Sequence, residues 1–159
     1  MRKRTDMVEL LLDKGADINS RDNGGVSPLL FAVGRRDTAT MRLLVRRGAD
    51  LEVESKQNKM TPLLLAIETG QRDSVAYLLD KGAQVNGKNG DGLTPLMSAS
   101  EKGDSKLVKL LLEHGADPGA EDNRGRTAAA RAEQKGQQAI VEMLARSLSE
   151  SPLDSSADE

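Results

Sequence analysis

The chain holds one imidazole, His114, and no thiol, so the groups that most often perform nucleophilic, acid–base or metal chemistry near neutral pH are nearly absent. Zero cysteine excludes disulfides, a thiolate nucleophile and any cysteine-ligated zinc or iron–sulfur site. A hydrolytic triad would have to rest on His114 alone, and a common zinc site needs more nitrogen or sulfur ligands than one. His114 stands directly before Gly115 at the end of a helical apolar pattern, where a basic side chain serves the unpaired carbonyls of a helix C-terminus. The carboxylate pairs Glu52/Glu54 and Asp154/Asp158 have no neighbouring nucleophile or ligand and read as solvated side chains. Asn86-Gly87-Lys88-Asn89-Gly90-Asp91-Gly92 is glycine-bearing but lacks the Gly-x-x-x-x-Gly-Lys-Ser/Thr spacing that cradles phosphate. No catalytic residue, cofactor site or metal site is expected. What remains is noncovalent chemistry: the planar forks of Arg35, Arg124 and Arg126, and a few apolar side chains able to anchor a partner.

The elements that would position these groups must be built with little aromatic material, because the 159 residues contain one Phe, one Tyr and no Trp. The core must be aliphatic. Twenty-three basic against 25 acidic residues give a formal charge of -2, no basis for a strong nucleic-acid or membrane field. Met1-Arg2-Lys3-Arg4 is followed by Thr5-Asp6, with Glu9 and Asp13 interrupting the apolar positions, so it does not continue as a signal peptide. The longest apolar run, Leu63 to Ile67, is too short to span a bilayer. Membrane insertion is therefore not expected, and the default compartment is cytoplasm or nucleus.

Two landmarks recur in phase. Gly-Ala begins at Gly15, Gly48, Gly82 and Gly115, spaced 33, 34 and 33 residues apart. Ser27-Pro28-Leu29, Thr61-Pro62-Leu63 and Thr94-Pro95-Leu96, followed by the degenerate Thr127-Ala128-Ala129, are offset by 34, 33 and 33. Each Ser or Thr suits a helix cap and each Pro a first helical position, which predicts a first helix (helix A) over 28–35, 62–69, 95–102 and 128–135. A second helix in each unit carries apolar pairs at helical spacing: Val8/Leu11/Leu12, Met41/Leu44/Val45, Val75/Leu78/Leu79, Val108/Leu111/Leu112 and Ile140/Val141/Met143/Leu144. Ala32, Ala66, Ala99 and Ala132 would let neighbouring pairs approach closely. One such pair cannot bury its own apolar face, so the units must stack.

In these two phased motifs and the aliphatic positions between them, residues 7–146 resemble the ankyrin-repeat family, whose unit opens on Thr-Pro-Leu-His and closes on Gly-Ala-Asp. The resemblance implies an all-α solenoid of stacked antiparallel helix pairs with projecting hairpin loops and a concave face lined by helix A. It also implies a non-catalytic module that binds another protein or peptide. The first unit enters at its second helix, giving a partial repeat and four further helix pairs over 7–147, preceded by a basic lead-in at 1–6 and followed by an acidic tail or linker at 148–159. The tail has four acidic residues, four serines and no basic residue. The half unit predicts a larger parent protein, further repeats upstream, or a self-association face; part of a larger scaffold or regulatory protein is the favoured expectation.

Departures from the pattern carry their own expectations. The histidine after Thr-Pro-Leu is Leu30, Leu64, Met97 or Ala130 here, shifting stability toward apolar packing. Lys59 replaces the glycine found at Gly25, Gly92 and Gly125, in a loop one residue longer, which predicts a reshaped hairpin. Arg36 stands where Gly70, Gly103 and Gly136 separate the helices, which predicts an altered end to that helix A.

Because the family binds through hairpin tips and helix A, the resemblance makes Val26, Phe31, Arg35, Met60, Glu68, Leu93, Glu101, Lys102, Arg124 and Arg126 the candidate partner-binding residues. Phe31 reads equally as groove anchor or core, and Tyr77 as an outer-face residue. The alternative reading is a regulatory module that takes a phosphate-containing ligand or nucleic acid on Arg35, Lys102, Arg124 and Arg126, with nucleic acid the less favoured partner. Asn19 and Asn86 occupy the hairpin position that the family offers to asparaginyl hydroxylation, and Ser151-Pro152 matches a proline-directed phosphorylation site.

Overall fold

The computed structural model describes residues 2–150. Among them the chain forms nine helices: α1 (Arg2–Asp13), α2 (Pro28–Gly34), α3 (Thr38–Arg46), α4 (Pro62–Glu68), α5 (Arg72–Asp80), α6 (Pro95–Glu101), α7 (Ser105–Glu113), α8 (Ala128–Gln134) and α9 (Gln138–Glu150). α2, α4, α6 and α8 pack side by side as an inner row, each against the following helix of its own unit, while α1 packs on α3 and α7 on α9. Among the described residues no inner-row helix precedes α1.

The caps set the starts of the inner helices. Ser27 Oγ, Thr61 Oγ1, Thr94 Oγ1 and Thr127 Oγ1 each accept the N–H three residues on, at 3.2, 3.3, 3.3 and 3.3 Å. A cap contributes about 1 kcal/mol. Seven residues are too few for a helix to persist alone, and full burial of one leucine contributes about 1.5–3 kcal/mol. The caps therefore choose the boundaries and the stacking holds the helices. Leu29, Leu63 and Leu96 are buried, as are Ala32, Ala66, Ala99 and Ala132, whose lack of bulk admits the next inner helix. Met41/Leu44, Val75/Leu78, Val108/Leu111 and Ile140/Leu144 close the core from the other row. Leu30, Leu64 and Met97, in the family's histidine position, are buried too, so apolar packing does replace that polar link, while Ala130 lies exposed.

The Gly-Ala landmark is a helix stop. In the second unit Gly48 N–H bonds to Val45 O and Ala49 N–H to Leu44 O, and the same pair of bonds recurs at Gly15, Gly82 and Gly115. This closure requires a left-handed residue, and Gly48 has φ +85°.

Two expectations are corrected. Arg36 does not alter the end of α2: it takes φ +56°, its N–H bonds to Val33 O and the next N–H to Ala32 O, the same closure that Gly70 makes. Lys59 takes the left-handed conformation of the glycines at φ +48°, and the longer hairpin is reshaped as expected: Ser55 N–H reaches Met60 O, one residue farther than Asp22 N–H to Val26 O. Residues 2–6 belong to α1 rather than to a separate lead-in, since nothing between Arg2 and Met7 breaks a helix, and α9 runs on to Glu150 for the same reason.

Candidate partner-binding surface

The hairpin loops are joined from unit to unit. Asn19 Oδ1 accepts Asp50 N–H at 2.9 Å, Glu52 Oε1 accepts Gln84 N–H at 2.8 Å and Asn86 Oδ1 accepts Asp117 N–H at 2.9 Å, while Asn86 Nδ2 donates to Gly115 O. Glu52 thus does with a carboxylate what the asparagines do with an amide. Gly119, without a side chain, ends the series. Asn19 and Asn86, the candidate modification positions, are accordingly engaged in holding the next loop. At the tips, Lys56 N–H bonds to Gly24 O, Gly90 N–H to Asn58 O and Asn123 N–H to Asp91 O. The tips form a continuous edge rather than separate fingers.

Within each hairpin a short acceptor folds the turn. Asp22, Asn89 and Asp122 each accept two backbone N–H groups through Oδ1, and Ser55 Oγ accepts Met60 N–H in the longer loop. Val26, Met60, Leu93 and Arg126 follow these turns, directly before the helix caps, and all four are half-buried. Met60 Sδ lies 3.8 Å from Asn89 Nδ2 of the next hairpin, and the Arg126 guanidinium is 2.9 Å from the Asp122 carboxylate.

The inner row divides into two electrostatically different halves. Toward the C-terminus, Glu68 accepts a hydrogen bond from Ser98 Oγ and pairs with Lys102 at 3.0 Å. Glu101 pairs with Arg131 at 2.6 Å and Lys135 at 3.5 Å. Arg131 also meets the buried Asp122 at 2.6 Å. Burial alone would raise the Asp122 carboxyl, but the N–H groups of Arg126 and Arg124 and the guanidinium groups of Arg131 and Arg126 outweigh it and hold the group well below the usual carboxylate range. Glu68, Glu101, Lys102 and Arg126 therefore all have partners inside the stack. Arg124 is exposed, with no ion pair among the described residues.

Toward the N-terminus the row is open. Phe31, Leu65, Ser98 and Arg131 occupy one position in successive units, and exposure falls along them from 57% at Phe31 to 2% at Ser98. Phe31 faces out of the core, against the core half of its two sequence readings. Beside it, Arg35 is exposed and without an ion pair among the described residues. Both line a cavity of about 200 Å³ between α1 and α2, with Arg4, Val8, Pro28, Ala32 and Leu44 among its other walls. Sequence reasoning singled out Phe31 and Arg35 as candidates but not Arg4 and Val8, which share the cavity wall because α1 packs beside α2 and α3. It also missed Arg131, which no repeated motif marks.

Other assignments have simple places. Tyr77 is half-buried on α5 with the Arg42 guanidinium 4.4 Å from its ring centroid and Lys81 Nζ at 5.8 Å. His114 is the cap residue of α7; its Nδ1 lies 2.9 Å from Leu110 O and its Nε2 3.6 Å from Asp80. Ser151 lies outside the described residues. Among the described residues no helix is long and apolar enough to cross a membrane, and no cluster of His, Asp and Glu is arranged to hold a metal ion.

Comparison with known proteins agrees with this arrangement. A family model described as ankyrin repeats (3 copies) matches residues 1–89 and 85–153. The chain is 38% identical over 84 residues to the human neurogenic locus notch homolog protein 2, covering 52% of this chain and 3% of that protein. It is 38% identical over 90 residues to the Drosophila melanogaster ankyrin repeat and KH domain-containing protein mask, covering 56% and 2%. It is 35% identical over 89 residues to Delta-latroinsectotoxin-Lt1a of Latrodectus tredecimguttatus, covering 54% and 7%. The chain thus spans only a few per cent of the length of these relatives, and the likeness lies in the repeats. With capped inner helices, left-handed stops and cross-linked hairpins recurring in the same phase, the chain belongs to the ankyrin-repeat family.

Proposed function

We infer that this chain is a non-catalytic module that mediates protein–protein interactions, the typical role of ankyrin-repeat domains. We propose that this chain binds a peptide or folded protein partner through its concave helix row and hairpin edge, as one module of a larger scaffold or regulatory protein acting in the cytoplasm or nucleus. The observation that carries the reading is the exposure of Phe31, at 57%, on the inner row beside Arg35, which has no ion pair among the described residues. An aromatic ring and an arginine on a rigid helix surface are the side chains from which binding hot spots are most often built. Relatives in which the matched stretch is a small share of a long chain support a modular role.

The phosphate or nucleic-acid alternative loses support from the ion pairs. Of its four basic residues, Lys102 is paired to Glu68 and Arg126 to Asp122. Only Arg35 and Arg124 keep an unpaired charge among the described residues, which does not make a continuous basic track.

The test is affinity capture with the wild-type chain and a folded Phe31→Ser/Arg35→Glu/Leu93→Ser variant side by side. Partners that bind the wild type and are lost from the variant at unchanged helicity support the reading. Identical capture by both proteins overturns the assignment of the concave surface.

A further inference from the structure

We propose that the cavity between α1 and α2 receives one bulky apolar side chain from an acidic peptide, with Arg4 and Arg35 pairing to carboxylates on either side of that anchor. This rests on the protein-binding reading and specifies its site and ligand chemistry.

The apolar half of the argument is the exposed apolar surface of the first unit together with the cavity lining. Leu44, Leu78 and Leu111 occupy one position in successive units and are 1%, 0% and 0% exposed, because each packs against an inner helix. Leu11, at the same position of the first unit, is 52% exposed, and Met7 and Leu10 are 57% and 53% exposed. The cavity, of about 200 Å³, is walled on its apolar side by Val8, Pro28, Phe31, Ala32 and Leu44. An apolar cavity of about 150 Å³ is enough to hold a benzene ring. One leucine, methionine or phenylalanine side chain matches the space.

The charge half of the argument selects the flanks. Arg4 and Arg35 line the same cavity, are exposed, and have no ion pair among the described residues. The one acidic lining residue, Asp37, is engaged as the cap of α3, accepting Thr40 N–H at 3.1 Å and the Thr40 hydroxyl at 2.9 Å. Glu68 and Glu101, the acidic side chains farther along the inner row, are paired to Lys102, Arg131 and Lys135. The open end of the row therefore presents positive charge around an apolar hole. Carboxylates flanking a bulky apolar residue complement both features, whereas a basic peptide complements only one and a nucleic acid leaves the hole unfilled.

The experiment is selection of a displayed random 12-residue peptide library on the intact chain, followed by fluorescence titration of the enriched peptides. The expected result is enrichment of sequences with Asp or Glu around one bulky apolar residue, and binding that weakens with added salt. Arg35→Glu and Phe31→Ala, both at exposed positions, are each expected to weaken binding at least tenfold at unchanged helicity. A peptide with its acidic residues changed to lysine is expected to bind Arg35→Glu better than wild type, which loss of folding could not produce. Enriched peptides that bind these variants as tightly as wild type, but lose affinity on Met60→Ser or Leu93→Ser, overturn the cavity assignment while leaving the wider protein-binding reading intact. Enrichment of basic sequences, displacement of the peptides by a single-stranded oligonucleotide, or a chain dimer that Phe31→Ala dissociates likewise overturns it.

Discussion

Arg131 and Asp122 meet through two hydrogen bonds to a single carboxylate oxygen, from Nε at 3.1 Å and Nη2 at 2.6 Å, with side chains 10% and 1% exposed. The last inner helix opens on alanines where the others bring proline and leucine, so its apolar contribution is the smallest of the row. The charge network ties that helix to its own hairpin through Asp122 and to the preceding unit through Glu101. Removing one partner of a buried pair leaves the other uncompensated. Asp122→Ala is expected to lower the melting temperature by on the order of 10 °C, and Arg131→Met by less. The difference follows from the two backbone N–H groups, of Arg124 and Arg126, that lose an acceptor only in the first variant. Equal melting temperatures for wild type and Asp122→Ala in a calorimetric scan would remove the network from the account of stability.

The same carboxylate gives the fold an acid limit. Asp122 titrates well below its ordinary value, and Asp104 is also lowered: burial works against that shift, and the hydrogen bond and charge of Arg72 with the backbone N–H groups of Leu107 and Lys106 overcome it. A folded pKa below the unfolded one makes a contribution that is complete above the unfolded value and lost as pH falls through the folded value. The unfolded value of aspartate is about 3.9. These two groups should leave stability unchanged between pH 7 and about 5 and withdraw it progressively below about 4. Denaturant titrations at stepped pH should show this, with a shallower acid decline in Asp122→Asn.

The repeat architecture was legible because its determinants are local and periodic. Ser27, Thr61, Thr94 and Thr127 cap the N–H groups next to them, and the Gly-Ala pairs stop helices through bonds within one turn. The ion pairs were not legible. Glu101 and Arg131 lie 30 residues apart and meet only because the stack places consecutive inner helices side by side. Glu68 and Lys102 were therefore read as separate charges, and their pairing with each other could not be seen. The cavity at Phe31 was hidden for a related reason: its walls come from α1, α2 and α3, which meet only in the stack.

Substitution toward glycine should stabilise two positions. Arg36 and Lys59 are the non-glycine residues with positive φ among the described residues, at 56° and 48°. Holding a residue with a Cβ in the left-handed conformation costs roughly 1–2 kcal/mol, partly offset by the greater unfolded-state freedom of glycine. Arg36→Gly and Lys59→Gly are each expected to raise stability by about 0.5–1 kcal/mol in chemical denaturation. A loss in either variant would mean that its side chain makes a stabilising contact.

The hairpin ladder should respond in proportion to its bonds. Asn86 makes two hydrogen bonds to the following unit, whereas Asn19 and Glu52 make one each. At about 1 kcal/mol or less for each exposed hydrogen bond, Asn86→Ala should weaken the stack more than Asn19→Ala. Hydrogen exchange should localise the change to the Asp117 amide in the first variant and to the Asp50 amide in the second. Uniform acceleration across the chain in both variants would contradict a ladder made of separable links.

Ser100 carries the clearest mismatch between a side chain and its surroundings. It is fully buried, and its Oγ lacks a hydrogen-bond partner among the described residues. The same position in the two preceding units is filled by Val33 and Ile67, both buried. A buried hydroxyl that has surrendered water without gaining a partner costs about 1–3 kcal/mol. Ser100→Ala removes that cost while preserving the helix, and Ser100→Val additionally restores the aliphatic contact made in its neighbours. Both should raise the denaturation midpoint, Ser100→Ala by the equivalent of about 1 kcal/mol and Ser100→Val by more if α7 and α8 accept the added methyl groups. A destabilised Ser100→Ala would show that the hydroxyl is bonded in solution, through rotation toward a carbonyl of its own helix; a destabilised Ser100→Val beside a stabilised Ser100→Ala would locate the limit in packing volume instead.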